Sequence, residues 1–335
     1  PGFSDLRLRS QNIRRTVNIM SASHGKPRSV EVSSTLSSLE SSDLSGYQSD
    51  QERRLTVSGK VLRIVIAVAM MFACALTPSL LSQIPAVRSF GIAHSHPQSN
   101  VDDVVMAALV LLLYGTATIL VLMLCYVLRR TLDRGRRVSL NLRLDRRALL
   151  WAVGMVLVAV AVNLAVAGIV HALGLAGGNE GMPNRPWWFI AAAIFSQAFF
   201  LQGIPEEIIW RGWLFSSLGE TRFAAVSSVL GFTVLHLLSQ GGQQNLFEHL
   251  TYLALPCGFA VTALIVRMIS GSTWAAIGVH GGIHVANDVL SDRLHLPSGS
   301  ITWVLQGLLW AAVGLLILAL HRRRQRLAAL TDRTC

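Results

Sequence analysis

The sequence predicts an all-α membrane protein, a polytopic bundle of about eight transmembrane helices. Of its 335 residues, 52% are hydrophobic and only 14% are charged, whereas soluble domains carry about a quarter charged residues. Apolar runs also recur along the chain, and many of them reach the ~20 residues that a helix needs to cross a bilayer. The eight candidate spans lie at about 61–84, 104–128, 148–173, 187–217, 223–240, 249–269, 272–291 and 300–320.

Basic residues predict how these spans are oriented. The formal net charge is +11, with eight arginines between the second and third spans and a group of four, at positions 322, 323, 324 and 326, directly after the last. The 85–103 and 174–186 loops offer only Arg88 and Arg185. The positive-inside rule therefore places both termini in the cytoplasm of a protein in the cell membrane. Because the arginines flank apolar spans and no aromatic-basic surface is visible, we expect a lipid bilayer as partner and no nucleic acid.

Changes in composition divide the chain into four regions. Residues 1–58 are polar and lack an apolar period, which predicts a disordered cytoplasmic region. Met20 offers a start of its own, in which case residues 1–19 would lie upstream of it, and the sequence leaves the choice between Pro1 and Met20 open. Residues 59–173 hold the N-terminal transmembrane helices, residues 187–291 hold the polar motifs described next, and residues 292–335 form the last transmembrane helix with a basic cytoplasmic tail.

Three charged residues lie together in the fourth span. A charge in hydrocarbon costs several kcal/mol unless it is paired or faces a polar cavity. Glu207 and Arg211 are four residues apart, which predicts an ion pair on one helical face. Glu206 is turned by about 100° from Glu207, so it lies off the face of this ion pair and is available for another role. Pro205 should interrupt the helix beside the two glutamates, a break that is tolerated where it lines a protein-enclosed cavity.

Histidines lie in two later spans. His236, taken alone, is typical of a hydrogen-bonded core residue. His280 and His284 are different, because a spacing of four places both imidazoles on one helical face, as metal sites require. Gly281 and Gly282, between them, would allow another helix or a substrate backbone to approach closely.

Taken together, these motifs resemble those of a known family. The chain carries Glu206-Glu207-x-x-x-Arg211, then Phe232-x-x-x-His236, then His280 with a polar residue four positions later. This order resembles the CPBP family, the CAAX-protease and bacteriocin-processing group of intramembrane proteases that is also called Abi. The resemblance covers about residues 187–291, which would form the catalytic core. One position departs from the family pattern, because His284 stands where the family usually has Asn or Asp.

The resemblance implies an intramembrane metalloprotease that hydrolyses peptide bonds of membrane-associated protein or peptide substrates. Glu206 would be the general base that takes a proton from the attacking water. His236 would position that water or bind a metal. His280 and His284 would stabilise the oxyanion or complete a metal site.

The remaining motif residues would support this site. Glu207 and Arg211 would hold the helix and orient Glu206, and Phe232 belongs to the second motif. The metal implied is Zn²⁺, with His236, His280 and His284 as ligands, although the same side chains can activate water with no metal.

Two alternatives remain open at this point. One is a catalytically silent member of the same family, a bacteriocin-immunity or scaffold membrane protein, and His284 is the residue that favours it. The other is a cation or proton transporter in which Glu206, Glu207, His236 and His280 form an ion path. Transporters often show internal repeats, and none is visible in this sequence.

Overall fold

Helices account for 83% of the chain that the computed structural model describes, namely residues 55–95, 99–175, 177, 185–239, 241–290 and 293–334. No strand occurs among these residues, and the all-α class is confirmed. The helices are α1 Val57–Ser82, α2 Pro85–Ser95, α3 Asn100–Arg130, α4 Arg146–Ala172, α5 Trp187–Ser217, α6 Arg222–Leu238, α7 Leu246–Tyr252, α8 Ala254–Ser270, α9 Thr273–Leu290 and α10 Ser300–Thr334.

Each predicted span overlaps a helix, and a multi-pass membrane protein is confirmed, but the count of eight is not. In the described part of the chain, 6 helical stretches are long and apolar enough to cross a membrane: α1, α3, α4, α5, α7 with α8, and α10. The α6 helix is shorter, since its regular part ends at Leu235 and a 3-10 turn follows. The α9 helix falls short in hydropathy, because two histidines, Asn287 and Asp288 lie within it.

The first helix begins slightly earlier than the predicted boundary at residue 59. Its start is Val57, and the Thr56 side chain accepts a hydrogen bond from the Gly59 backbone N–H. This cap satisfies one of the N–H groups that a helix start leaves without a partner. The predicted disorder of residues 1–54 lies outside the described residues. The α2 helix was not predicted, because it is 11 residues long and buries no side chain.

A buried polar cluster joins α1, the segment after α3 and the end of α5. Arg63 donates to Asp133 Oδ1 at 2.6 Å, and the Trp213 indole N–H donates to Asp133 Oδ2 at 2.8 Å. The side chains of Arg63 and Asp133 are at most 3% exposed. Buried charges persist when they are paired and hydrogen-bonded in this way. The cluster therefore fixes the C-terminal part of α5 against the N-terminal helices.

The α5 helix is interrupted around Pro205, as predicted. Around the proline, regular α-helix covers only Ile204–Glu207, with π-helical segments at Ser196–Gly203 before it and Ile208–Leu214 after it, while regular α-helix covers both ends of α5. Proline lacks the N–H that continues an α-helical ladder, which makes a local change of helix type favourable here. Short π-helical segments occur frequently at functional sites.

Glycines let α9 lie deep in the bundle. The Cα of Gly278 faces the backbone of Ala152 in α4, and that of Gly282 faces Val156 one turn further along α4. On the other side, Gly281 packs against the ring of Phe199 in α5. The predicted close approach at Gly281 and Gly282 is present, and it holds α9 between α4 and α5 so that both of its histidines face the interior.

Candidate active site

A cavity of about 610 Å³ lies between α1, α5, α6, α8, α9 and α10. Four predicted site residues line it: Glu206, His236, His280 and His284. Aromatic and aliphatic side chains form much of the remaining wall. The wall therefore mixes apolar side chains with many polar ones, and convergent polar groups in an enclosed pocket are typical of active sites.

The centre of the polar arrangement is Glu207, whose side chain is fully buried. Its Oε1 atom accepts from Arg211 at 3.1 Å, the predicted ion pair, and from Nδ1 of His280 at 3.0 Å. Arg211 also donates to the Ala260 carbonyl at 3.2 Å and lies 4.5 Å from the centre of the Phe232 ring. Glu207 therefore connects α5 to α9 through its Oε1 atom, while its Oε2 atom is buried without a hydrogen-bond partner among the described residues.

Hydrogen bonding determines which nitrogen of two histidines carries the proton. A carboxylate accepts hydrogen bonds, so Nδ1 of His280 is the donor to Glu207. Likewise, His236 Nδ1 lies 2.9 Å from the Phe232 backbone carbonyl, which also only accepts. In the neutral form of each ring, Nε2 is then the atom with an available lone pair.

Glu206 differs from its neighbour because it lines the cavity; its Oε2 atom, like that of Glu207, is buried without a hydrogen-bond partner among the described residues. Gln202, one helical turn earlier, has an Oε1 atom in the same condition, and it lines the same cavity. Buried polar atoms without partners are rare in folded proteins. Two acceptors on one cavity wall suit a water molecule, which can donate to both.

Aromatic rings hold the histidines in place. The Phe232 ring lies 4.5 Å from the His236 ring and 5.6 Å from the His280 ring, measured between centroids. The Phe259 ring packs on His280 at 4.9 Å. Phe232 thus supports the site in three ways, through its carbonyl to His236, its ring face to Arg211 and its contact with His280.

A chain of amides on α4, α9 and α10 extends the site beyond the predicted residues. Gln306 donates to Asn163 Oδ1 at 3.0 Å and to Asn287 Oδ1 at 2.8 Å through its single side-chain nitrogen. Because Oδ1 of Asn287 accepts, its Nδ2 group is the donor that remains for other contacts. Asn287 and Gln306 line the cavity, next to His284, whose ring lies 5.2 Å from that of His280.

The side chains do not fit the predicted zinc site. Within the described ranges, no three His, Cys, Asp or Glu groups converge so that they could hold a metal ion. A catalytic zinc requires three protein ligands around one point. The chemistry derived below therefore uses the side chains alone.

Comparison with known proteins agrees with the motifs. No curated protein and no solved structure matches the chain. Residues 183–286, about a third of the chain, match the family model described as Rce1-like, type II CAAX prenyl endopeptidase Rce1-like. The matched range contains all three motifs and most of the cavity wall contributed by α5, α6, α8 and α9. The resemblance to the CPBP family is thereby confirmed, and residues 183–286 are the part of this chain that carries it.

Proposed function

We propose that this protein is a CAAX-type intramembrane endopeptidase with Glu206 as its general base. The observation that carries the proposal is the contrast between two adjacent carboxylates. Glu207 is fully buried, and its Oε1 atom is bound by Arg211 and His280, whereas Glu206 lines the cavity and forms no ion pair among the described residues. A general base must reach a water molecule, and of the two carboxylates Glu206 is the one that lines the cavity.

The reaction follows from this arrangement. Water in the cavity donates one hydrogen bond to Glu206 and the other to Nε2 of His236. Glu206 removes a proton as the water oxygen attacks the carbonyl carbon of the substrate, and a tetrahedral intermediate forms. Glu206 then returns the proton to the leaving nitrogen as the C–N bond breaks. Removal of the carboxylate from bulk water strengthens it as a base near neutral pH.

Donors for the oxyanion come from the C-terminal half of α9. His284 stands where the family usually has Asn or Asp, so the amide of that position is missing. Asn287 lies one turn further along the same helix, and Gln306 orients it so that Nδ2 is its available donor. We assign oxyanion stabilisation to Asn287 Nδ2 together with His284. A single such donor is worth roughly 10²–10³ in kcat.

The proposed substrates are membrane-associated proteins or peptides. The protease that cleaves them would lie in the cell membrane with both of its own termini in the cytoplasm. The alternative is a catalytically silent scaffold or immunity protein of the same family, and His284 is the specific residue that favours it. The two readings differ in what the Glu206 carboxylate does: it is essential to a protease and dispensable to a scaffold.

The test compares new protein and peptide termini in cells that express wild-type protein, Glu206→Gln or Asp332→Asn. Asp332 is an exposed carboxylate near the end of α10, and its variant controls for the loss of one charge. Equal expression and membrane insertion are required. Termini found with wild type and Asp332→Asn but absent with Glu206→Gln would support the protease. Identical termini in all three strains would favour the scaffold.

A second arm of the same experiment addresses the metal. Membranes treated with a chelator should retain Glu206-dependent cleavage, because the derived steps use side chains alone. Loss of cleavage on chelation, with recovery on adding Zn²⁺, would contradict the metal-free mechanism and restore the zinc site that the sequence suggested.

A further inference from the structure

A second cavity, of about 590 Å³, lies at the C-terminal end of α3, away from the catalytic cavity. Eight residues line it: Tyr126, Arg129, Arg130, Asp133, Arg134, Gly135, Arg136 and Val138. We propose that this cavity, which we call the arginine pocket, binds the phosphate of an anionic phospholipid headgroup. The inference is independent of the proposed protease activity.

The arginine pocket carries positive charge that the described protein does not neutralise. Its one acidic residue, Asp133, is buried, and both carboxylate oxygens are used by Arg63 and Trp213. Within the described ranges, Arg129, Arg130 and Arg134 form no ion pair, and all three are exposed. A guanidinium fork matches the geometry of phosphate oxygens, which makes arginine the preferred residue for such a ligand.

The wall of the pocket is fixed before any ligand binds. The guanidinium of Arg130 lies 5.3 Å from the centre of the Tyr126 ring. Arg136 donates to the Ser217 carbonyl at the end of α5, at 3.2 Å. Asp133 is anchored to two other helices by the cluster described above. Pre-organised donors lose less conformational entropy on binding than flexible surface side chains do.

The position of the pocket favours a lipid over a free phosphate. It follows directly on the apolar α3 span, which ends at Arg130. The adjacent outer face of α3 is exposed, with Met123 at 61%, Tyr126 at 60% and Val127 at 52%. Acyl chains can lie along this face while the headgroup occupies the pocket, whereas inorganic phosphate would leave the apolar face unused. Basic pockets at the ends of transmembrane helices bind anionic headgroups in this way.

The positive-inside rule alone would also place arginines here. The experiment therefore needs a control variant that removes the same number of arginines from another cytoplasmic segment. Arg322, Arg323 and Arg324 provide them, because they follow the apolar part of α10 and are all exposed. The two variants are Arg129→Gln/Arg130→Gln/Arg134→Gln in the pocket and Arg322→Gln/Arg323→Gln/Arg324→Gln in the tail. Each removes three positive charges without breaking an ion pair of the described residues.

Binding of phosphatidylglycerol and phosphatidylcholine to the purified full chain in detergent is measured by native mass spectrometry, with circular dichroism as the check on folding. Wild type and the tail variant should retain phosphatidylglycerol, and the pocket variant should bind it about 100-fold more weakly. Equal losses in both variants would show a general charge effect and overturn the proposal. Displacement of phosphatidylglycerol by millimolar inorganic phosphate would identify a free-phosphate site and overturn the lipid assignment.

If the pocket variant fails the folding check, Arg129→Gln and Arg134→Gln are measured singly. Both side chains are exposed, so each should fold and each should weaken phosphatidylglycerol binding several-fold. Unchanged binding in both single variants would overturn the proposal.

Discussion

Replacing each of the two adjacent glutamates by glutamine should affect different properties. Glu207→Gln should lower the stability of the protein, whereas Glu206→Gln should abolish cleavage and leave the stability almost unchanged. In Glu207→Gln, the neutral amide leaves the Arg211 guanidinium buried at 0% exposure without its hydrogen-bonded counter-charge. In Glu206→Gln, the amide replaces a carboxylate whose Oε2 atom has no partner among the described residues. The shape of the side chain is almost unchanged in both cases, so the difference isolates the charge.

The size of the effect follows from the contacts. Removing one partner of a buried ion pair costs about 3–5 kcal/mol, because the other charge stays buried and unpaired. The hydrogen bond from His280 at 3.0 Å also loses its charge-assisted part. Since folded proteins are stable by only about 5–15 kcal/mol, Glu207→Gln should be severely destabilised. Glu206→Gln should change the free energy of unfolding by less than about 1 kcal/mol.

Unfolding in mixed micelles by a denaturing detergent, followed by far-UV circular dichroism, measures this difference. Glu207→Gln/Arg211→Met is the matched control, because replacing both members of a buried pair by groups of similar size is often neutral. It should recover much of the stability lost in Glu207→Gln. Equal stability of the two single variants, or no recovery in the double variant, would refute the assignment of Glu207 to structure and Glu206 to chemistry.

Two further predictions concern close packing and the amide chain. Gly307→Ala places a methyl group against the Ala254 backbone in α8. This variant should lower the free energy of unfolding by about 1–3 kcal/mol in the same assay. In Gly154→Ala the added carbon has no atom of another element within 4 Å, so this variant should raise the free energy of unfolding by up to about 1 kcal/mol. Equal effects would contradict the packing argument. Asn287→Leu should lower kcat of Glu206-dependent cleavage by roughly 10²–10³ with little change in KM, and Gln306→Leu should lower it less; unchanged kcat in Asn287→Leu would exclude it as an oxyanion donor.

Most of the helices could be predicted from hydropathy. The thickness of the bilayer sets a minimum length for each spanning helix, and an apolar run of that length is visible in the sequence. The ion pair between Glu207 and Arg211 could also be predicted, because both residues lie on one helix at a spacing of four, and the pair is present. The limits are also physical. The α9 helix carries polar residues that lower its hydropathy, so burial within the bundle, which a sequence does not show, decides its place.

Contacts between distant helices could not be predicted. Glu207 and His280 are 73 residues apart, and an imidazole can pair with any acceptor that the fold brings near. Asn163 lies in an apolar span, where polar side chains commonly hydrogen-bond to another helix, yet nothing in the sequence identifies Gln306 as its partner. The role proposed for Asn287 had a detectable signal, because it lies seven residues after His280 and therefore on nearly the same helical face.

The two π-helical segments of α5 have a consequence for how this chain tolerates insertion and deletion. A π-helical turn closes its hydrogen bonds over five residues where an α-helix uses four, so each segment accommodates a surplus residue. Removing one residue from Ser196–Gly203 would let that stretch relax to α-helix, and the residues after it would keep the faces they have now. In a regular α-helix the same deletion would rotate everything after it by about 100°, and the charge that faces the cavity would turn into the packed wall. Sequences that share the three motifs but have one residue fewer between Trp187 and Pro205 should therefore still present the same glutamate to the water.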